Sequence, residues 1–134
     1  MAVRQQLSQG LHDRVIDFIK SHLSVEKYEI YTNPGSEQNW SIKGEFPDIL
    51  LTSKESKQIQ FVIEIETADS ITPEEARNQW KAYSGLPGVF HILVPRDSMP
   101  IARQIIAGQG IQTKLGYYVV GHNGEITNVQ YNAE

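Results

Sequence analysis

The sequence predicts an α/β fold in which a mixed central sheet is flanked by helices. Three observations point there. Apolar residues recur at three-to-four-residue spacing in the N-terminal segment and alternate strictly in a later one. Strand-like segments follow each other without a helix between residues 27 and 67, which implies an antiparallel hairpin. Beyond that point strands and helices alternate, which implies parallel pairs joined by right-handed crossovers. The predicted order is α-β-β-β-α-β-α-β, with helices on both sides of the sheet.

Residues 2–23 read as the first helix, from the stripe Leu7, Leu11, Val15, Ile16, Phe18, Ile19 and Leu23. A first strand follows at 27–31. Asn33-Pro34-Gly35-Ser36 is a loop by turn chemistry, and Trp40, Ile42 and Gly44 extend an irregular, hairpin-like connection. Strands are expected at 46–51 and 59–67. In the latter, Ile59, Phe61, Ile63 and Ile65 share one face. Thr72 is a good N-cap, Pro73 suits the first helical position, and Glu74 and Glu75 favour the positive helix end. That helix runs to about Ser84 and is closed by Gly85, Pro87 and Gly88. A strand at 89–94, a helix at 98–107, a strand at 115–121 and a short strand at 125–129 complete the chain.

Composition bounds the functions. At 134 residues the chain is long enough to bury a core without staples. It has no cysteine, which excludes a disulfide framework, a cysteine nucleophile and thiolate metal sites. No repeat, low-complexity segment or linker is visible, so 1–134 is expected to form a single domain. The N-terminus is polar and the run 89–94 is broken by His91, so neither a secretory signal nor a membrane span is expected. A cytoplasmic protein with no membrane partner follows as the expectation. With 12 Lys+Arg against 16 Asp+Glu the net charge is -4, which argues against coating nucleic acid by charge alone.

The informative stretch is Pro47-Asp48, followed after a hairpin by Glu64-Ile65-Glu66. Glu64 and Glu66 are two apart, so they point to one side of a strand, about 6.6–7 Å apart along it. The hairpin brings Asp48 beside Glu64. Carboxylates so placed repel unless a cation or proton is shared. Hard cations such as Mg²⁺ take carboxylate and carbonyl oxygens. The plainer alternative is a solvated polar strand face. No Gly-rich phosphate loop or Gly-x-Ser-x-Gly elbow is present, and the four histidines show no ligand spacing.

These residues resemble the PD-(D/E)xK nuclease superfamily, and the element order resembles its restriction-endonuclease-like α-β-β-β-α-β core, here with a C-terminal helix and strand added. Gln79-Trp80-Lys81-Ala82-Tyr83 is similar to the QxxxY motif of some members, and His12-Asp13 places an acid on the first helix as such proteins often do. The resemblance covers about residues 8–95 and departs at one point: Glu66 stands where the family carries Lys. Arg77 and Lys81 lie on the helix side opposite Gln79 and Tyr83 and so do not replace that Lys.

The resemblance implies a nuclease-like domain that hydrolyses phosphodiester bonds, with DNA as the expected partner. Asp48, Glu64, the Ile65 carbonyl and Asp13 would hold Mg²⁺ (or Mn²⁺), with Asp17 the second choice on the first helix. Asp48, Glu64 and Glu66 would be catalytic, Glu66 orienting water or accepting its proton. Gln79 and Tyr83 would contact substrate or brace the metal ligands; core packing is the alternative for Tyr83 and Trp80. Cutting both strands of a duplex needs two sites, which is compatible with a homodimer. The alternative is a catalytically degenerate member of the fold, acting as a nucleic-acid-binding or protein-interaction module.

Overall fold

The computed structural model describes residues 6–23, 26–34 and 41–133. The first helix spans Gln6–His22. Six strands follow: β1 (Tyr28–Thr32), β2 (Ile49–Ser53), β3 (Ile59–Ile65), β4 (Val89–Pro95), β5 (Lys114–Val120) and β6 (Ile126–Gln130). A middle helix occupies 73–84 between β3 and β4, and a last helix, Met99–Gln109, lies between β4 and β5. The strands form one sheet in the order β1-β2-β3-β4-β5-β6, curled into a half-barrel. The β1–β2, β2–β3 and β5–β6 pairs are antiparallel; the β3–β4 and β4–β5 pairs, each spanning a helix in sequence, are parallel. The predicted mixed α/β architecture is therefore present.

Strand alternation divides the core into two layers. Ile49, Leu51, Ile63, Ile65 and Leu93 pack against Val15, Ile16 and Ile19 of the first helix. Leu50, Val62, Ile92 and Val94 face the opposite way, onto Ala76, Trp80 and Tyr83 of the middle helix and Met99 and Ala102 of the last. The last helix stops at Gly110, whose φ of 63° closes the final turn by donating to the Ala107 and Ile106 carbonyls.

Several boundaries differ from the sequence expectation. The first helix is described from Gln6, and Leu7 is left exposed, so packing begins at Leu11. Gly35, Ser36 and Trp40 lie outside the described residues, but Ile42 and Glu45 pair across a tight turn, with Lys43 and Gly44 at positive φ. β2 runs from Ile49 to Ser53 rather than 46–51, and β3 stops at Ile65 rather than 67. Ile59 does not share a face with Phe61. The pairing slips by one residue between Leu51 and Thr52, and this bulge turns Ile59 toward the middle-helix layer. The middle helix is not a uniform α-helix either. Its central residues, Ala76–Trp80, form a π-helical turn in which the Lys81 N–H reaches back five residues to the Ala76 carbonyl. Among the described residues no helix is long and apolar enough to cross a membrane.

Two features of the core make predictions. A Cβ on Gly116 in β5 would stand 2.0 Å from the Gln130 carbonyl oxygen of β6. Gly116→Ala is expected to destabilise the fold by roughly 1–3 kcal/mol, measured by urea unfolding, since the backbone of β6 must move. His91 in β4 is buried, and its Nδ1 lies 3.1 Å from the Tyr131 carbonyl oxygen. Burial holds its pKa below the ordinary 6.5; the Tyr131 carbonyl opposes this and nearby Lys114 adds to it. The unfolded chain therefore takes the proton first as pH falls. His91's contribution is fully present above about pH 6.5 and is lost as the pH drops below it toward the folded-state value. His91→Phe should flatten that part of the stability profile, read by thermal melts between pH 5 and about 7.5.

Candidate functional site

The chain ends the β2–β3 ladder with a proline. Continuing the observed register sets Pro47 across from Ile65. Proline has no N–H for the next rung. The Ile65 N–H goes to the following residue instead: Asp48 Oδ2 accepts it at 2.7 Å. In return the Asp48 N–H donates to Glu64 Oε1 at 3.0 Å. The Pro-Asp dipeptide thus fixes a carboxylate beside Glu64 with two side-chain-to-backbone hydrogen bonds. Asn33 braces the same corner, donating from Nδ2 to the Pro47 carbonyl and from its N–H to the Asp48 carbonyl.

Glu64 and Glu66 both lie on the middle-helix side of the sheet, at the carboxyl end of β3. Glu66 is fully buried. Ser70 Oγ donates to its Oε1 at 2.6 Å and Trp80 Nε1 to its Oε2 at 2.8 Å. Its backbone is held as well: the N–H donates to the Leu93 carbonyl, and Tyr118 donates its hydroxyl to the Glu66 carbonyl at 2.7 Å. Glu75, at the start of the middle helix, brings a third buried carboxylate. Glu64, Glu66 and Glu75 each place an oxygen within 4.8 Å of the others. Thr72 caps that helix by accepting the Glu75 N–H at 3.1 Å, which sets the position of Glu75.

The electrostatics follow from this crowding. Burial pushes the Glu64 carboxyl well above the ordinary carboxylate range, and the charges of Asp48, Glu66 and Glu75 add to the rise; the Asp48 N–H opposes it. Glu64 has a spare acceptor. Its Oε1 takes the Asp48 N–H, and no hydrogen bond to Oε2 is formed among the described residues. A proton or a cation is needed there. Tyr83 lies in the same field. Its hydroxyl pKa is raised, first by burial and then by Glu64, Asp48, Glu45 and Glu75.

The structure brings most of the sequence-predicted site residues together. Asp48, Glu64 and Glu66 converge. Gln79 and Tyr83 share a helix face turned toward them, with the Tyr83 hydroxyl donating to Gln79 Oε1 at 3.1 Å. Arg77 and Lys81 are exposed on the other side, as helix geometry requires. Trp80 and Tyr83 are also core residues, so the packing alternative holds alongside the site geometry. Ile65 joins the site through its N–H to Asp48. Asp13 stays outside the acid cluster. Its side chain is 38% exposed, with Oδ1 3.0 Å from His12 Nδ1 and accepting from Gln9 at 3.2 Å. Asp17 is exposed.

Two residues escaped the sequence reading. His12, fully buried one residue before Asp13, places Nε2 2.9 Å from Asp48 Oδ1, at ion-pair distance. The apolar stripe around Val15, Ile16 and Ile19 carried the signal: continuing its face one turn back lands on residue 12. Glu75 was hidden because Thr72-Pro73-Glu74-Glu75 also reads as a helix-start pattern, which accounts for an acid there without a site.

No protein-family model, curated protein or solved structure matches this chain. The site therefore rests on its own chemistry: an α/β sheet with a buried acidic cluster at the carboxyl end of a parallel strand pair. Its donor set is all oxygen, which suits Mg²⁺, Mn²⁺ or Ca²⁺ and not a soft metal. The triad Glu64, Glu66 and Glu75 could hold such an ion.

The grip of Trp80 on Glu66 is testable apart from any activity. Trp80→Phe keeps most of the ring volume and removes the Nε1–H, which leaves a buried carboxylate oxygen short of a donor. A loss of roughly 1.5–3 kcal/mol in urea unfolding is expected. A loss no larger than that of an exposed substitution such as Arg77→Ala would show that the bond contributes nothing.

Proposed function

We propose that this chain is a divalent-cation-dependent phosphodiester hydrolase, with Mg²⁺ or Mn²⁺ as cofactor and DNA as substrate. The observation that carries the reading is the convergence of Asp48, Glu64, Glu66 and Glu75 with the Gln79–Tyr83 pair at one end of the sheet. It combines a cation site with a hydrogen-bonding helix face. The carboxyl end of parallel strands is also where α/β sheets place their ligands.

The donor set fits the metal. Glu64, Glu66 and Glu75 would hold it, and Asp48 lies beside Glu64 to complete or orient the group. Once bound, the ion would polarise a phosphate and lower the pKa of water. The chain's own residues supply the rest. Asp48 holds Glu64 by its N–H. Ser70 and Trp80 fix the orientation of Glu66 by donating to its two oxygens. Tyr83 orients the Gln79 amide by donating to its oxygen, which leaves the amide NH₂ to donate to a phosphate oxygen or base edge.

One observation favours a second reading, in which the module binds nucleic acid or protein without turnover. Both oxygens of Glu66 are hydrogen-bonded and the side chain has no exposure, so it offers no free edge to a solvent water. That is the position where the resembled family carries Lys.

Calorimetry with Mn²⁺ tests the cation site. Wild type should bind, and Glu64→Gln should lose at least about tenfold in affinity, a change of about 1.4 kcal/mol. No binding at millimolar Mn²⁺ or Mg²⁺ would sink the hydrolase reading. A cleavage panel of single-stranded, duplex and branched DNA and of RNA then reads turnover. Metal-dependent cleavage that disappears in Asp48→Ala and Glu64→Ala supports the hydrolase; metal binding without cleavage of any substrate supports the second reading.

A further inference from the structure

The backbone of Glu66 is held by a contact that the β3–β4 ladder does not supply. In that parallel ladder the Glu66 N–H donates to the Leu93 carbonyl at 2.8 Å. The next rung would bring the N–H of residue 95 to the Glu66 carbonyl. Residue 95 is proline, so that donor does not exist. β3 accordingly ends at Ile65. The Glu66 carbonyl takes its hydrogen bond from further away. Tyr118, across from Pro95 in β5, reaches past it and donates its hydroxyl at 2.7 Å. Tyr118 is fully buried, and its side chain spans the intervening strand to make this bond.

The bond does more than satisfy a carbonyl. The same peptide unit carries the Thr67 N–H at its other end, and that N–H donates to Ser70 Oγ at 3.0 Å. The Ser70 hydroxyl donates in turn to Glu66 Oε1 at 2.6 Å. The Thr67 carbonyl also stands 3.1 Å from Ser70 Oγ, and the carboxylate oxygen is the nearer acceptor. The result is one continuous chain of hydrogen bonds: Tyr118 hydroxyl, 66–67 peptide, Ser70 hydroxyl, Glu66 carboxylate. Each bond in such a chain polarises the next. The peptide plane is fixed at both ends, and its tilt sets where Ser70 meets the carboxylate. Trp80 Nε1 meets the other carboxylate oxygen at 2.8 Å.

We propose that Tyr118 is a positioning residue for the acid cluster. It acts through the 66–67 peptide and Ser70 to hold the Glu66 carboxylate against the Trp80 indole. Packing in the first-helix layer would be met by phenylalanine, which fills the same space. The hydroxyl is what reaches the Glu66 carbonyl and replaces the N–H that Pro95 lacks. A residue of β5, on the other face of the sheet, thereby sets the geometry of a carboxylate on the middle-helix side. The hold on Glu66 stands without the hydrolase reading; its consequence for cation affinity rests on that reading.

The test is a rescue. Tyr118→Phe removes the hydroxyl. Pro95→Ala returns the missing ladder N–H, and residue 95 already has the extended ψ of a strand, 142°. The readout is the Trp80 Nε1–H resonance of the ¹⁵N-labelled protein, told apart from that of Trp40 by its loss in Trp80→Phe. Tyr118→Phe should move this resonance toward the position of an indole in water, and the double variant Pro95→Ala/Tyr118→Phe should bring it back. Mn²⁺ calorimetry on the same proteins should show about tenfold weaker binding in Tyr118→Phe and recovery in the double variant. A Tyr118→Phe protein that loses stability but keeps the Trp80 resonance in place overturns the proposal, since Tyr118 is then a packing residue alone. So does a double variant that stays shifted or does not fold. Should Tyr118→Phe by itself fail to fold, a folded double variant with the wild-type resonance supports the proposal. If wild type binds no Mn²⁺, the hydrolase reading fails and the Trp80 resonance still decides the role of Tyr118. If wild type binds Mn²⁺ and Tyr118→Phe binds it equally well, the link from Glu66 to the cation site is overturned.

Discussion

One side-chain acceptor, Asp48 Oδ2, organises the carboxylate end of this fold. Pro47 cannot complete the β2–β3 ladder, and the side chain of Asp48 takes the Ile65 N–H that the ladder would have used. That substitution fixes the Asp48 carboxylate within the sheet. It also leaves the Asp48 N–H to hold Glu64. The two acids are thus linked through backbone groups, which are rigid, and not through each other, which would be repulsive. Asn33 closes the same corner from β1. Whatever the site does, its first two carboxylates are placed by the sheet's own hydrogen-bond bookkeeping.

The remaining carboxylates are placed by the middle helix and the turn before it. Ser70 and Trp80 each give Glu66 a donor, and Thr72 sets Glu75 at the helix start. The outcome is a division of labour among like charges. Glu66 is well solvated by protein donors. Glu64 is poorly solvated, keeps one oxygen without a hydrogen bond, and has its pKa raised by burial and by its neighbours. The imbalance makes Glu64 the member whose ionised form is least favoured without a cation. A net charge of -4 counts against nucleic acid only if these acids are exposed and uncompensated; buried together, they act on whatever enters the site and contribute little to the outer surface.

Much of this was legible in the chain. Period-two alternation from Phe61 to Ile65 gave the strand and its faces, and the spacing of Glu64 and Glu66 gave a shared side. Helical spacing of four put Gln79 with Tyr83 and turned Arg77 and Lys81 away. What was not legible depends on contacts between elements distant in sequence. The bulge that turns Ile59 over arises in the pairing with β2, and nothing within 59–65 records it. His12 acquires meaning only once Asp48 lies against the first helix. Glu75 has a sufficient local explanation as a helix-start residue, and local patterns cannot reveal a second use. The expected α/β layers, with a mixed sheet and helices packed against it, are present, while no family is identified by comparison.

The π-helical turn at Ala76–Trp80 has a consequence for how this chain would line up with others. Such a turn holds one residue more than an α-helical turn in the same stretch of axis. The Trp80 indole that meets Glu66, and Tyr83 beyond it, therefore sit one position later than an uninterrupted α-helix starting at Thr72 would place them. A chain with the same site but a regular helix would show a single-residue gap here, between its capping threonine and its tryptophan. Counting outward from the strand acids would then misassign the side chains that follow the turn, so such alignments should be anchored on the indole that faces the buried glutamate.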